Sequence, residues 1–118
     1  MTDDAPVTFA DVEAAAARLD DPTVVKRTPV ERSTSLASLS GAEEVHLKLE
    51  HLQWTGSFKT RGAYNKIQTL LADRDVEEVI AASAGNHAQG VALAATTLGV
   101  GSTIVMPKAA PQAKVDAT

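Results

Sequence analysis

The stretch that decides the fold class is VIAASAGNHAQGVALAATTLGVGSTIVM, residues 79–106. It begins with a short apolar run, Val79–Ala82, which predicts a strand, and a turn follows at residues 83–87. Residues 88–98 are predicted to form a helix that stops at a glycine, and Ser102–Met106 a second strand closed by a proline. Two strands joined by a helix of ten or more residues require a crossover connection, which predicts parallel strands.

The same alternation of strand and helix extends upstream. Val45–Leu49 alternates apolar and polar side chains with a period of two, which predicts a strand with one buried face. A loop over Glu50–Gly56 leads into a helix that begins near Ser57. The apolar side of this helix is formed by Ala63, Ile67, Leu70 and Leu71. The order β-α-β-α-β therefore predicts an α/β fold, a fragment of a doubly wound parallel sheet with three strands in this chain.

The first forty residues predict two further helices. Thr8 is the predicted N-cap of a helix over Phe9–Leu19. Residues 24–30 are expected to be extended or a loop. Ser33–Ser40 is predicted to be a short helix that Gly41 closes.

The C-terminal end predicts a last helix that is cut short. Pro111 suits the first position of a helix, and Lys114–Thr118 would lie inside it. The sequence stops there with no capping residue and no closing strand. We therefore expect residues 1–118 to be the N-terminal part of a longer protein, truncated at the C-terminus.

The composition excludes several classes of protein. Of the 118 residues, 44% are apolar and 22% charged, which is ordinary for a folded domain and argues against disorder. The net charge of −4 argues against a nucleic-acid binder held by charge. The absence of cysteine excludes thiolate chemistry, and His46 and His51 lack the neighbours of a metal site, so no metal is predicted. Neither a secretory signal nor a membrane span is visible, and we expect a cytoplasmic protein.

One candidate functional residue is Lys59, within Trp54-Thr-Gly-Ser-Phe-Lys-Thr-Arg-Gly-Ala63. It lies in the first turn of its predicted helix, with Arg61 two residues later. Cations there oppose the helix dipole and reduce stability, while the positive potential favours a neutral amine that can attack a carbonyl. The alternative is an ordinary surface lysine whose amine extends into solvent. For a single lysine, that alternative is the more common case.

The second candidate is the segment Ser83-Ala-Gly-Asn-His87, at the start of the next predicted helix. Backbone N–H groups at a helix start are unpaired and bind carboxylates or phosphates. Gly85 allows a ligand to approach the backbone, and Asn86 either donates to a ligand or caps the helix. His87 is more often a packing or capping residue than a catalytic base.

These two segments together resemble a known family. Thr55-Gly-Ser-Phe-Lys-Thr-Arg-Gly-Ala63, preceded by Leu47-Lys-Leu-Glu50, is similar to the lysine segment of the pyridoxal-phosphate-dependent threonine dehydratase and serine racemase family. Ser83-Ala-Gly-Asn-His-Ala-Gln-Gly90 resembles its substrate-carboxylate loop, and Val105-Met-Pro-Lys108 continues the likeness. The resemblance implies the tryptophan-synthase-β-like (fold type II) architecture, with residues 1–118 as the N-terminal part of its catalytic domain.

The resemblance also implies a role for each matching residue. Lys59 would be bonded covalently to pyridoxal 5'-phosphate and would later move the Cα proton of the substrate. Phe58 would lie against the cofactor ring, and Asn86 would hydrogen-bond the phenolic oxygen of that ring. The substrate carboxylate would be bound by Ser83, Ala84, Gly85, Asn86 and His87, largely through backbone N–H groups.

Ala84 bears on the reaction that the resemblance implies. Racemases of the family carry at this place a serine whose hydroxyl protonates the opposite face of Cα, and alanine has no such proton. This favours a dehydratase that converts L-threonine, or L-serine, to a 2-oxo acid and ammonia, for example in isoleucine biosynthesis. Open alternatives are a racemase, a cysteine- or threonine-synthase-like enzyme, and a non-catalytic module that keeps only the anion loop. A homo-oligomer is expected at full length, and the 118 residues alone are expected to be inactive.

Overall fold

The computed structural model describes residues 6–118. Among these residues, no helix has the length and apolar character needed to cross a membrane. The elements in chain order are α1 (Phe9–Arg18), β1 (Val30–Arg32), α2 (Thr34–Ser40), β2 (His46–Lys48), a 3-10 turn (Glu50–Leu52), α3 (Lys59–Asp73), β3 (Glu78–Ala82), α4 (Asn86–Leu98), β4 (Gly101–Val105) and α5 (Gln112–Asp116).

The predicted helix ends are largely confirmed. Thr8 caps α1, where its side chain accepts the Asp11 N–H while the Asp11 carboxylate accepts the Thr8 N–H. Gly41 and Gly99 close α2 and α4 in the left-handed conformation, with φ of 73° and 71°. Three predicted helix starts are shifted: α3 begins at residue 59 rather than near 57, α4 begins at residue 86 rather than 88, and Pro111 is the N-cap of α5 rather than its first residue.

The sheet prediction is correct for two strands and wrong for the third. β3 and β4 pair in parallel from Glu78↔Gly101 to Ala82↔Val105, as the crossover through α4 requires. β2 instead pairs antiparallel with β1, a strand that the sequence analysis did not predict, so within residues 6–118 there are two two-stranded sheets. The short helix α2 turns the chain back on itself, and the two strands that flank it therefore run in opposite directions.

The face predicted to be buried in Val45–Leu49 is covered only in part. Leu47 in β2 is exposed, whereas Val45 and Leu49 on either side of it are partly buried. A period of two shows that alternate side chains share a face, but it does not show that another layer covers that face.

The core lies where α3 and α4 pack against one face of the β3–β4 pair. On α3, Ala63 and Ile67 are buried as predicted, but Leu71 is exposed. Val79, Ala81 and Ile104 pack against the core from the sheet. The buried apolar cluster consists of Val24, Val25, Ala63, Tyr64, Ile67, Val91, Ala94, Ala95 and Val100.

Polar contacts hold the segment before α3 against the segment after α1. The amide of Gln53 pairs with the backbone of Lys26, accepting its N–H and donating to its carbonyl, each at 2.9 Å. Trp54 Nε1 donates to the Pro22 carbonyl at 3.1 Å, and the Tyr64 hydroxyl donates to Asp21 at 2.9 Å. The loop that leads into α3 therefore has a fixed position relative to the core.

One buried hydroxyl gives a stability prediction. Thr60, the second residue of α3, is 0% exposed, and its Oγ1 has no hydrogen-bond partner among the described residues. We expect Thr60→Val to raise the free energy of unfolding by about 1 kcal/mol, because an unpaired buried polar group is removed while the shape is kept. Chemical denaturation of the purified variant measures this change.

Thr97→Val is the matched control for that substitution. The Thr97 hydroxyl is exposed and donates to the Leu93 carbonyl at 2.9 Å, so its removal should give no gain. A loss of stability in Thr60→Val would show that the Thr60 hydroxyl makes a favourable interaction, contrary to this prediction.

Candidate active site

Lys59 lies in the first turn of α3, as predicted, and is its first residue. Phe58 is the N-cap, and the Ser57 hydroxyl accepts the Lys59 N–H at 3.3 Å. The Lys59 Nζ lies 5.1 Å from the centre of the Phe58 ring, and both side chains are exposed. The amine is thus placed beside an aromatic face at the positive end of a 15-residue helix.

The segment Ser83–His87 follows the carboxyl end of β3, also as predicted. The Ser83 N–H donates to the Val105 carbonyl at 3.0 Å, and the Ser83 hydroxyl accepts the Gly85 N–H at 3.2 Å. Gly85 is the N-cap of α4, and within residues 6–118 no side chain caps this helix. The first N–H groups of α4 are therefore free to bind an anion.

An open cleft of about 450 Å³ brings several of the predicted residues together. Phe58 and Lys59 line it from α3, and His87 lines it from the first turn of α4. Ser83, Ala84, Gly85 and Asn86 lie outside its lining, next to His87 in the chain. The apolar walls of the cleft include Ile67, Val79, Ile80, Ala81 and Val91.

Helix packing, rather than the order of the strands, brings Lys59 to this cleft. The predicted β-α-β-α-β order put a strand of one parallel sheet before each candidate segment, but the strand before Lys59 is β2, which belongs to the antiparallel pair. α3 instead packs along α4, and Gly90 of α4 lies against the backbone of α3. A Cβ built on Gly90 would lie 3.0 Å from the carbonyl carbon and oxygen of Lys59.

Arg61, the other cation in the first turn of α3, is paired with Glu50. Arg61 Nε and Nη2 donate to the two carboxylate oxygens at 2.8 and 2.9 Å, and the Thr28 hydroxyl donates to the same carboxylate at 2.5 Å. These contacts, above all the hydrogen bond from Arg61, lower the pKa of Glu50 to about 2. In return, the hydrogen bond to Glu50 raises the pKa of Arg61. The positive charge of Arg61 is therefore balanced by the Glu50 carboxylate. Lys59, by contrast, forms no ion pair within the described part of the chain.

A second lysine, Lys66, also lines the cleft. It lies two turns further along α3, away from the positive end of the helix dipole. Of the two lysines that line the cleft, only Lys59 lies at a helix N-terminus.

Three residues near the site had no role in the sequence analysis. Glu50 lies in the quoted motif, but nothing in the spacing shows that it reaches Arg61 eleven residues later. Gly90 carried a usable signal, because an isolated glycine inside an apolar helix has a packing reason. Lys114 of α5 places its Nζ 3.8 Å from the position of a Cβ on Gly85, which adds a cation beside the anion-binding segment. No local pattern predicts that contact.

Comparison with protein families bears directly on this site. The family model described as pyridoxal-phosphate dependent enzyme matches residues 22–118, which include both α3 and α4. The chain belongs to this family. The sequence resemblance is thereby confirmed, as are the α/β fold class and the pyridoxal-phosphate dependence of the family.

Two bacterial proteins are similar in sequence to this chain over most of its length. The chain is 51% identical over 112 residues to an L-threonine dehydratase, catabolic TdcB, of Staphylococcus aureus, covering 95% of this chain and 32% of that protein. It is 50% identical over 112 residues to an L-threonine ammonia-lyase of Thermotoga maritima, covering 95% and 27%. This chain thus spans about a third or less of the length of these relatives.

A solved structure supports the fold. The serine racemase of Dictyostelium discoideum superposes with a TM-score of 0.83 at 36% identity, covering 96% of this chain and 36% of that one. The fold therefore agrees with that of solved family members even where the sheet differs from our prediction.

The chemistry of the cleft fits the family cofactor. Pyridoxal phosphate offers an aldehyde, a flat aromatic ring and an anionic phosphate. The Lys59 amine is suited to the aldehyde, and Phe58 with the apolar walls is suited to the ring. The uncapped start of α4, with Lys114 nearby, is suited to the carboxylate of an amino acid bound beside the cofactor.

Proposed function

We propose that the intact protein carrying this chain is a pyridoxal-phosphate-dependent ammonia-lyase acting on L-threonine, and on L-serine as a second substrate. The single observation that carries the proposal is the shared cleft. Lys59, Phe58 and His87, which come from two segments separated by more than twenty residues, line one open cavity. The names of the two bacterial relatives favour threonine as the substrate.

In this proposal each residue has a defined task. Pyridoxal phosphate, when bound, withdraws electrons from the substrate Cα. Lys59 would hold the cofactor covalently through Nζ until the substrate amine takes its place, and the freed Lys59 amine would then remove the Cα proton. Phe58 packs against the ring, and Asn86 donates to the ring oxygen. The segment Ser83–His87 holds the substrate carboxylate, largely through the unpaired N–H groups at the start of α4.

The overall reaction balances without an added oxidant or reductant. The Cα–H and Cβ–O bonds of the substrate break, and the β-hydroxyl leaves as water. Water is taken up again when the C–N bond is hydrolysed, which gives a 2-oxo acid and ammonia. The protein has to orient the Cα–H bond towards Lys59 and keep the carboxylate fixed.

The proposal extends to the setting of the enzyme. The catabolic name of the Staphylococcus relative favours threonine breakdown over isoleucine biosynthesis. We place the enzyme in the cytoplasm, where its free amino-acid substrate occurs, and we expect it to act as a homo-oligomer.

The direct test uses the intact protein with pyridoxal phosphate and L-threonine or L-serine. We expect formation of a 2-oxo acid and ammonia in equal amounts. Thiol-dependent replacement of the β-substituent without ammonia release would instead indicate a synthase-like enzyme. No reaction, together with no covalent cofactor on Lys59, would favour the non-catalytic alternative.

Ala84 provides a prediction about the balance between elimination and racemisation. We expect the unaltered protein to release ammonia from L-serine much faster than it forms D-serine, because Ala84 carries no proton to donate. In Ala84→Ser a hydroxyl is introduced, and racemisation relative to elimination should rise at least about tenfold. Chiral chromatography and a 2-oxo acid assay on the same reaction measure both products.

The control for this variant is Ala72→Ser, which adds the same hydroxyl near the exposed end of α3. Its product ratio should equal that of the unaltered protein. Dominant racemisation by the unaltered protein would overturn the assignment as a dehydratase.

A further inference from the structure

Gly90 of α4 lies against the backbone of the first turn of α3. It is buried on α4, and a Cβ there would lie 3.0 Å from the Lys59 carbonyl carbon and oxygen and 3.2 Å from the Thr60 nitrogen. All three are backbone atoms, which cannot turn aside as a flexible side chain could. Any residue larger than glycine therefore has to displace the first turn of α3 by a few tenths of an ångström.

The position of Gly90 along α4 gives this contact its significance. Gly90 lies three residues after His87, so the two share one side of the helix about one turn apart. A glycine inside a helix is about 1 kcal/mol less favourable than alanine, so its presence in α4 needs a packing reason. By contrast, a Cβ on Gly62 of α3 would meet nothing within 4 Å among residues 6–118.

We infer that Gly90 is a positioning residue that sets the separation between Lys59 and the first turn of α4. It lies outside the lining of the cleft, and it acts through the backbone of α3. This inference rests on the proposed function only for its catalytic consequence. The steric contact itself does not depend on the cofactor.

The test compares Gly90→Ala with Val100→Ala in the intact protein. Val100 lies in the same core at the other end of α4, so its truncation destabilises the protein without crowding Lys59. The first measurement is the rate at which pyridoxal phosphate, trapped by borohydride reduction, labels Lys59 in peptide maps. The second is amide hydrogen exchange across residues 59–67, without cofactor.

In Gly90→Ala we expect labelling of Lys59 and turnover to fall about tenfold, because small displacements of a reacting group are costly. Exchange across residues 59–67 should become faster. Val100→Ala should lower the melting temperature and leave the labelling rate unchanged. The inference would be overturned if Gly90→Ala showed the same labelling of Lys59 and the same hydrogen exchange as the unaltered protein. It would also be overturned if Val100→Ala lost as much labelling as Gly90→Ala.

The two measurements separate this inference from the proposed function. If the unaltered protein carries no label on Lys59, the proposed function fails. The exchange result then decides the inference alone: faster exchange confined to Gly90→Ala supports it, and unchanged exchange refutes it.

Discussion

Replacing Lys59 with alanine is expected to abolish covalent attachment of pyridoxal phosphate and to lower the rate of ammonia release by roughly 10²- to 10⁴-fold or more. The reason is that Lys59 has two tasks in the proposed reaction, and no other group at the N-terminus of α3 can take over either of them. Labelling after borohydride reduction and a 2-oxo acid assay with L-threonine measure the two losses separately.

The unfolding temperature of Lys59→Ala shows whether its loss of activity has a chemical cause or results from unfolding. The Lys59 side chain is exposed, and its charge opposes the helix dipole at the N-terminus of α3. Lys59→Ala should therefore unfold at the same temperature as the unaltered protein, or slightly above it. Lys108→Ala, a change at an exposed lysine beyond β4, should keep both labelling and activity.

The identity of the labelled lysine gives the decisive outcome. Lys59 and Lys66 both line the cleft, so the peptide that carries the reduced label shows which amine reacts. We expect Lys59, because only that amine lies at the positive end of the helix. A label on Lys66 with Lys59 unmodified would refute the assignment of Lys59.

The local features of the fold could be predicted from sequence because they depend on near neighbours in the chain. The capping of α1 by Thr8 and the closure of α2 and α4 by Gly41 and Gly99 each involve residues within one helical turn. The parallel β3–β4 pair was also predictable, because the length of α4 forces a crossover. The partner of β2 could not be predicted, because its pairing with β1 depends on how α2 turns the chain.

The residues of the candidate site could be chosen from the sequence, but their arrangement in space could not be predicted. The composition and order of the residues around Lys59 and His87 indicated their chemistry. Lys59 and His87 are brought to one cleft by the packing of α3 on α4. This packing is close because Gly90 has no Cβ to press on the Lys59 backbone. The pairing of Glu50 with Arg61 likewise needs the three-dimensional path of the 3-10 turn that precedes Lys59.

Glu50→Gln is expected to be the most destabilising of the changes considered for this chain. The Glu50 side chain is 17% exposed and that of Arg61 31%, so the pair is well shielded from water. The pKa of Glu50 falls from its ordinary 4.5 to about 2 in the folded protein. This shift of about 2.5 pKa units corresponds to a loss of at most roughly 3 to 4 kcal/mol at pH 7 when the charge is removed, because one pKa unit is worth about 1.4 kcal/mol.

The pH dependence follows from the sign of that shift. A lowered pKa means that the unfolded chain takes up a proton before the folded one does, so the stabilisation is complete above pH 4.5 and disappears as the pH falls towards 2. The difference in unfolding free energy between Glu50→Gln and the unaltered protein should be constant from pH 7 to 5. It should fall to about half near pH 3.

Glu44→Gln is the matched control, because Glu44 also accepts from an arginine. Its side chain is 50% exposed and that of its partner Arg32 56%, with the two atoms 3.1 Å apart. An exposed pair of this kind contributes between about 0 and 1 kcal/mol. Equal losses of unfolding free energy in Glu44→Gln and Glu50→Gln would show that the pairing of Glu50 with Arg61 contributes no more than an exposed pair.

A double-mutant cycle of Glu50→Gln with Arg61→Gln measures the interaction between the two side chains. We expect the two changes to be non-additive, because each partner loses its contact when the other is removed.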